Sequence, residues 1–244
     1  MSNTICFRNI GQLIQVDTAG KQPCLKILNQ YALVVKNGRV KEVLKDFGLK
    51  SSNYSQVIDL KGRAVIPGLV DCHTHLIYAG EQKSEMDHRL HGVAYTTGTL
   101  KNNGGILNTV NATREAGAKS LIKTAKARMR RMLALGTTAF EIKSGYGLDL
   151  DTEQKILSVG SRLKKELSVP VTITYLGAHA VPGGSTRSQY FDFVMEHLPL
   201  FRDLADGVDI FCEKDVFSVK ELTRLFLHAK LVGFSQLRAH VDAL

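Results

Sequence analysis

The chain has 244 residues, 44% of them hydrophobic, and 32 Lys and Arg against 23 Asp and Glu give a formal net charge of +9. That length buries one large core or two modest ones, while the lack of an N-terminal charged-then-apolar leader, or of any apolar run near the roughly 18 residues of a membrane span, argues against a membrane role and for a cytoplasmic location. Much of the basic excess lies between Lys119 and Arg131 with no aromatic interleaving, which reads as a solvated helix face and not a nucleic-acid surface; Cys6, Cys24, Cys72 and Cys212 form no C-x-x-C, so neither a disulfide framework nor a zinc knuckle is indicated.

Residues 1–62 read as a small β-rich region. Tyr31–Val35 and Val40–Leu44 flank Asn37-Gly38, a hairpin signal because both turn positions need positive φ. Gln56–Leu60 is a further strand, closed by Lys61-Gly62. No catalytic constellation lies here, and the region reads as scaffold. From residue 63 to 244 the pattern becomes strand, loop, helix, repeated. The first strand runs through Val65-Ile66-Pro67-Gly68-Leu69-Val70-Asp71-Cys72-His73-Thr74-His75. A polar, glycine-bearing stretch from Ala79 to Gly117 follows, of a length typical of lids and binding segments. Leu121, Ala125, Met129, Met132 and Leu133 mark one face of a helix ended by Gly136. Thr137–Ile142 is the second strand, leading into Lys143-Ser144-Gly145-Tyr146-Gly147. Asp151, answered by Gln154, is expected to cap the next helix. Val171–Leu176 is the third strand and Val208–Glu213 the fourth. Ser218 and Glu221 form a capping box for a helix ended by Gly233, and Ser235–His240 is the fifth strand.

His-x-His carries the chemistry. On a strand the side chains alternate, so His73 and His75 share a face, roughly 6.5 Å apart along it, a spacing from which two imidazoles can close on one ion. Two histidines satisfying local hydrogen bonds is the plainer alternative; the apolar approach strand, Asp71 and His240 on a later strand favour metal. Cys72, on the opposite side of the strand, is expected to be a small core residue. His73, His75, Lys143, Tyr146, His179, Glu213 and His240 all fall at or just past the C-terminal ends of successive strands. That distribution suits the active face of a (β/α) barrel, whereas a dinucleotide fold would need a G-x-G-x-x-G after its first strand, which is absent. A barrel takes about eight strands and five are legible, so the expectation is an incomplete TIM-like barrel preceded by the β-rich region, in a chain that is a fragment.

These residues also carry a resemblance. Pro67–Leu76 with its His-Thr-His, Gly104-Gly105-Ile106 with Thr109-Val110 and Thr113-Arg114, Glu141–Leu148, Leu176–Pro182 and Asp209–Lys214 resemble the imidazolonepropionases, metal-dependent amidohydrolases of histidine breakdown. His-x-His marks only the wider superfamily; Lys-Ser-Gly-Tyr-Gly-Leu and Leu-Gly-Ala-His-Ala-Val-Pro are far more specific. The resemblance implies hydrolytic opening of 4-imidazolone-5-propanoate to N-formimidoyl-L-glutamate. It implies one divalent ion, zinc or iron, on His73, His75 and His240, with His179 over the substrate as the catalytic group and Tyr95 and Tyr146 touching the substrate. The partner is then a small molecule, with a homodimer suggested by the family and neither nucleic acid nor membrane. Tyr146 between two glycines also suits a plain turn, Tyr95 plain packing, and His179 a capping or solvent-facing place.

Three positions depart from the family. Gln82 stands where an Arg holds the substrate carboxylate, a contact of about 1.5–3 kcal/mol, with Lys83 and Arg89 nearby as cations. Asn103 replaces the first of three glycines, and Ala243 stands where the family has Glu or Gln. The family's remaining metal-binding Asp and a further catalytic His come from later strands, so the chain ending at Leu244 is expected to bind metal weakly and catalyse poorly alone. Another cyclic amidohydrolase or deaminase activity, or a non-catalytic fragment, are the competing readings.

Overall fold

The computed structural model describes residues 3–20, 22–80, 106–213 and 216–241. Two compact units divide the chain, Met1–Gly68 and Leu69–Leu244. In the first, β1 (Thr4–Arg8), β4 (Tyr31–Lys36), β5 (Arg39–Lys45) and β6 (Gln56–Asp59) form a sheet of order β5-β4-β1-β6, while β2 (Leu13–Asp17) and β3 (Cys24–Leu28) make a separate ribbon. The β4–β5 hairpin turns on Asn37 and Gly38, whose φ of 52° and 75° are those of the expected type I′ turn. Cys6, Ala32 and Val34 are its buried centre, with Leu44, Leu49 and Tyr54 packed against them.

The second unit is the expected α/β half-barrel. Its curled sheet holds β7 (Leu69–Thr74), β8 (Thr137–Lys143), β9 (Val171–Ala178), β10 (Gly207–Phe211) and β11 (Gln236–His240), all parallel and ordered β11-β10-β9-β8-β7. Chain order and sheet order coincide. A doubly wound sheet reverses direction at a switch point; this one, among the described residues, does not. The connections carry α1 (Ile106–Glu115) and α2 (Ala118–Ala134), then α3 (Leu150–Glu166), α4 (Arg187–His197) and α5 (Val219–Val232). Leu121, Ala125 and Met129 of α2, Ile156, Leu157 and Leu163 of α3 and Leu225 and Ala229 of α5 bury their apolar stripes against Phe140, Ile142, Ile173, Val208 and Ile210.

Local details differ from the sequence expectation in several places: the first barrel strand, expected from Val65, begins at Leu69, and Val65 instead bridges to Leu13. Within the polar stretch after β7, residues 106–115 form helix α1, anchored by Thr109, Val110 and Thr113. The cap of α3 is Asp149, whose Oδ1 accepts from Thr152 N at 2.7 Å; Asp151 lies in the first turn. Cys72 is exposed, not core, because it sits on β7, whose strand neighbour in the sheet is β8 alone among the described residues. The capping box of α5 forms as expected, Ser218 Oγ accepting from Glu221 N and Glu221 Oε2 from Ser218 N, and Gly233 ends the helix at φ 101°.

Candidate active site

Each strand of the second unit delivers at least one group to the same end of the sheet. His73 comes from the end of β7 with His75 just after it, Tyr146 from the loop after β8, His179 directly after β9, Phe211 from the end of β10 and His240 from the end of β11. Their rings form one cluster. Centroids lie 5.8 Å apart for His73 and His75, 4.7 Å for His73 and His240, 4.7 Å for His75 and Tyr146, and 4.8 Å for the stacked rings of His75 and His179. Phe211 stacks on His240 at 4.7 Å, and Tyr78 closes on Tyr146 at 5.8 Å. Tyr78 and Phe211 were not singled out as site residues from the sequence. Gln82, Tyr95, Asn103 and Ala243 lie outside the described residues.

The loop after β8 is held rigidly. Gly145 adopts φ 103°, and a Cβ there would come within 2.7 Å of Leu176 O and 2.9 Å of His179 Nδ1, so only glycine fits. The buried carboxylate of Glu153, on α3, accepts from the backbone N–H groups of Gly145, Gly147 and Leu148. Burial pushes its carboxyl above the ordinary range although those donors and Ser144 pull the other way. Gly145 in turn presents its carbonyl to His179 Nδ1 at 2.9 Å. A carbonyl only accepts, so Nδ1 carries the hydrogen and Nε2 keeps a lone pair while the ring is neutral.

Burial favours the neutral form of the His73, His75 and His179 imidazoles. Burial lowers His179 to about 4, despite the opposing bond to Gly145, and it lowers His75 well below the ordinary histidine value. His73 is lowered by burial and then by Lys143. His75 Nδ1 is a buried atom with no hydrogen-bond partner, a nitrogen without its usual compensation. Neutral imidazoles are the form that ligates zinc or iron, and the donor set fits such an ion. Among the described residues no group of three His, Cys, Asp or Glu side chains is already closed as a ligand set, so closure of His73, His75 and His240 would take movement of these side chains.

Beneath the rings the sheet is polar. Glu141 and Lys143 of β8, Thr174 of β9, Asp209 of β10 and Arg238 and His240 of β11 face one another. Lys143 Nζ lies 2.6 Å from Asp209 Oδ2 and 3.0 Å from Glu141 Oε2. Arg238 Nε lies 3.3 Å from Glu141 Oε1, and His240 Nδ1 3.1 Å from Asp209 Oδ2. Glu141 Oε2 makes no hydrogen bond of good geometry, so the nearby ammonium compensates it. Burial works against ionised Asp209, but His240 and Lys143 outweigh it and hold its carboxyl below the ordinary range. Asp209 and Glu153 were not singled out as site residues from the sequence. The signal for Asp209 was its charge in the middle of an otherwise apolar strand.

Comparisons with known proteins bear on the family and the fold. The model of an amidohydrolase family matches residues 56–135. The imidazolonepropionase of Bacillus cytotoxicus is 40% identical over 98% of this chain and 58% of its own length, and that of Bacillus mycoides 40% identical over 96% and 57%. The chain therefore spans a little over half the length of the curated relatives it matches. Among solved structures, 5-methylcytosine deaminase from Klebsiella pneumoniae superposes with a TM-score of 0.64 at 16% identity, over 96% of this chain and 51% of that one. Guanine deaminase from C. acetobutylicum does so with a TM-score of 0.56 at 16% identity, over 98% and 53%. These two share the fold.

Proposed function

This chain is a relative of the imidazolonepropionases along nearly its whole length, and from that premise we propose that it serves the hydrolysis of 4-imidazolone-5-propanoate to N-formimidoyl-L-glutamate in histidine degradation. The observation that carries the reading is the convergence of His73, His75, His179, His240 and Tyr146 at one end of the parallel sheet. His73, His75 and His240 would hold one zinc or iron ion. When bound, such an ion supplies polarisation of the ring carbonyl and lowers the pKa of water to about 7. The chain's own groups do the rest. His179, neutral and with Nε2 free to accept, takes a hydrogen bond or a proton from the substrate ring or the attacking water. Tyr146, clamped between Gly145 and Gly147, forms one wall and contacts the substrate.

The test is metal analysis and a substrate panel. The purified chain is expected to bind zinc or iron weakly, and His240→Ala to abolish that binding. Its turnover is expected to be slow, and to favour the imidazolone ring over cyclic amidines such as cytosine and guanine. Faster turnover of those deaminase substrates would replace this reading with a deaminase one.

A further inference from the structure

Asp209 is 1% exposed, and both of its oxygens are committed. Oδ1 accepts from the backbone N–H of Ile210 at 2.7 Å, while Oδ2 accepts from Lys143 Nζ at 2.6 Å and lies 3.1 Å from His240 Nδ1. A carboxylate bound by an ammonium is ionised and has no proton to give. The hydrogen of the Asp209–His240 contact therefore sits on Nδ1, and Nε2 is the nitrogen left with a lone pair. We propose that Asp209 is a positioning residue that locks His240 in its Nδ1–H tautomer, with Lys143 fixing Asp209 in turn, so that His240 meets its ligand through Nε2. The proposal rests on the metal-site reading above and names how one of its three imidazoles is set.

Packing alone does not call for this line of groups. The interior of such a barrel is ordinarily filled by branched apolar side chains, and a buried ion pair adds little stability over apolar residues of the same volume. What Asp209 offers that leucine would not is an anionic acceptor for an imidazole N–H. Metal-ligating histidines ordinarily donate their second nitrogen to such a group, which fixes the ring and raises its basicity. Around the ring itself, Phe211 stacks on one face at 4.7 Å and His73 meets it edge-on at 4.7 Å, so rotation is restricted and the tautomer decides which nitrogen is available.

The first measurement is on the metal-free 244-residue chain: long-range 1H–15N spectra at pH 8 with His240 assigned through His240→Gln. His240 is expected as the Nδ1–H tautomer; an Nε2–H tautomer overturns the proposal whatever any variant does. The second uses Asp209→Leu/Lys143→Met, which removes this ion pair as a unit and leaves Arg238 as the cation beside Glu141. His240 is then expected to shift toward Nε2–H, and affinity for Co2+, read by competition with a chromophoric chelator, to fall about 10–100-fold. Unchanged tautomer and unchanged Co2+ affinity in that variant overturn the positioning role, while Co2+ binding that His240→Gln abolishes would leave the metal site standing. A wild-type chain that binds no Co2+ removes the metal-site reading and the ligand role assigned to His240 with it.

Discussion

The buried carboxylate of Glu153 holds the loop after β8, chiefly through backbone donors. Glu153 Oε1 accepts from Gly147 N at 2.7 Å and from Leu148 N and Gly145 N at 3.1 Å, and Oε2 lies 3.0 Å from Gly145 N. In Glu153→Gln one of those oxygens becomes an NH2 that faces a donor. A hydrogen bond to a charged group is worth about 1.5–3 kcal/mol, and urea unfolding of the variant should show a loss of that order. The same change should loosen Tyr146 and His179 together, because Gly145 N is tied to Glu153 and Gly145 O to His179; broadened His179 resonances would report it. A variant as stable as wild type with unchanged His179 lines would refute this role. The sequence pointed to Tyr146 and His179 through their motifs but not to Glu153, which stands in the first turn of a helix, where acidic residues are common for reasons of helix dipole alone.

Between neighbouring acids on one helix, geometry decides which one matters. Asp149 caps α3 and its Oδ2 also pairs with Arg114 Nε at 2.6 Å. Asp149→Ala should therefore destabilise by about 1 kcal/mol or somewhat more, and Asp151→Ala by no more than about 0.5 kcal/mol through the helix dipole; thermal unfolding of the two variants side by side checks the order. The sequence favoured Asp151 because Gln154 completes its spacing, yet α3 begins at Leu150. Strands β4 to β11 were legible because their apolar runs are bounded by glycine, proline and capping residues. By contrast α1 escaped notice, since two of its three buried residues are threonines and its periodicity is faint. The capping box of Thr186 and Gln189 at the start of α4 was a readable signal that went unused. In the first unit β3 is exposed through Cys24–Ile27, with only Leu28 partly covered, so alternation could not reveal it.

On the scale of the whole molecule, the coincidence of chain order and sheet order gathers the strand-end histidines, which is why their positions could be anticipated without a structure. The polar layer below them could not, because a charge in a strand reads as an exposed face until its neighbours are known. Under that layer the core of the second unit holds two buried tyrosines. Tyr175 is 1% exposed and packs on Phe201 at 4.5 Å, and its hydroxyl lies so near Gly177 that a Cβ there would come within 2.0 Å of it. Tyr190 is 4% exposed and donates its hydroxyl to Gly177 O at 2.9 Å. Burial raises both phenols well above their ordinary value. The sign follows from linkage: the unfolded chain releases these protons more readily than the native one, so their contribution to stability is complete below about pH 10 and is lost as pH rises beyond it. In an alkaline titration followed at 295 nm, the first tyrosine ionisations should leave the helical circular dichroism intact. Tyr175 and Tyr190 should ionise only in a later step that coincides with loss of that signal. All seven tyrosines ionising in one step with the fold retained would be incompatible with the two phenols lying in the core.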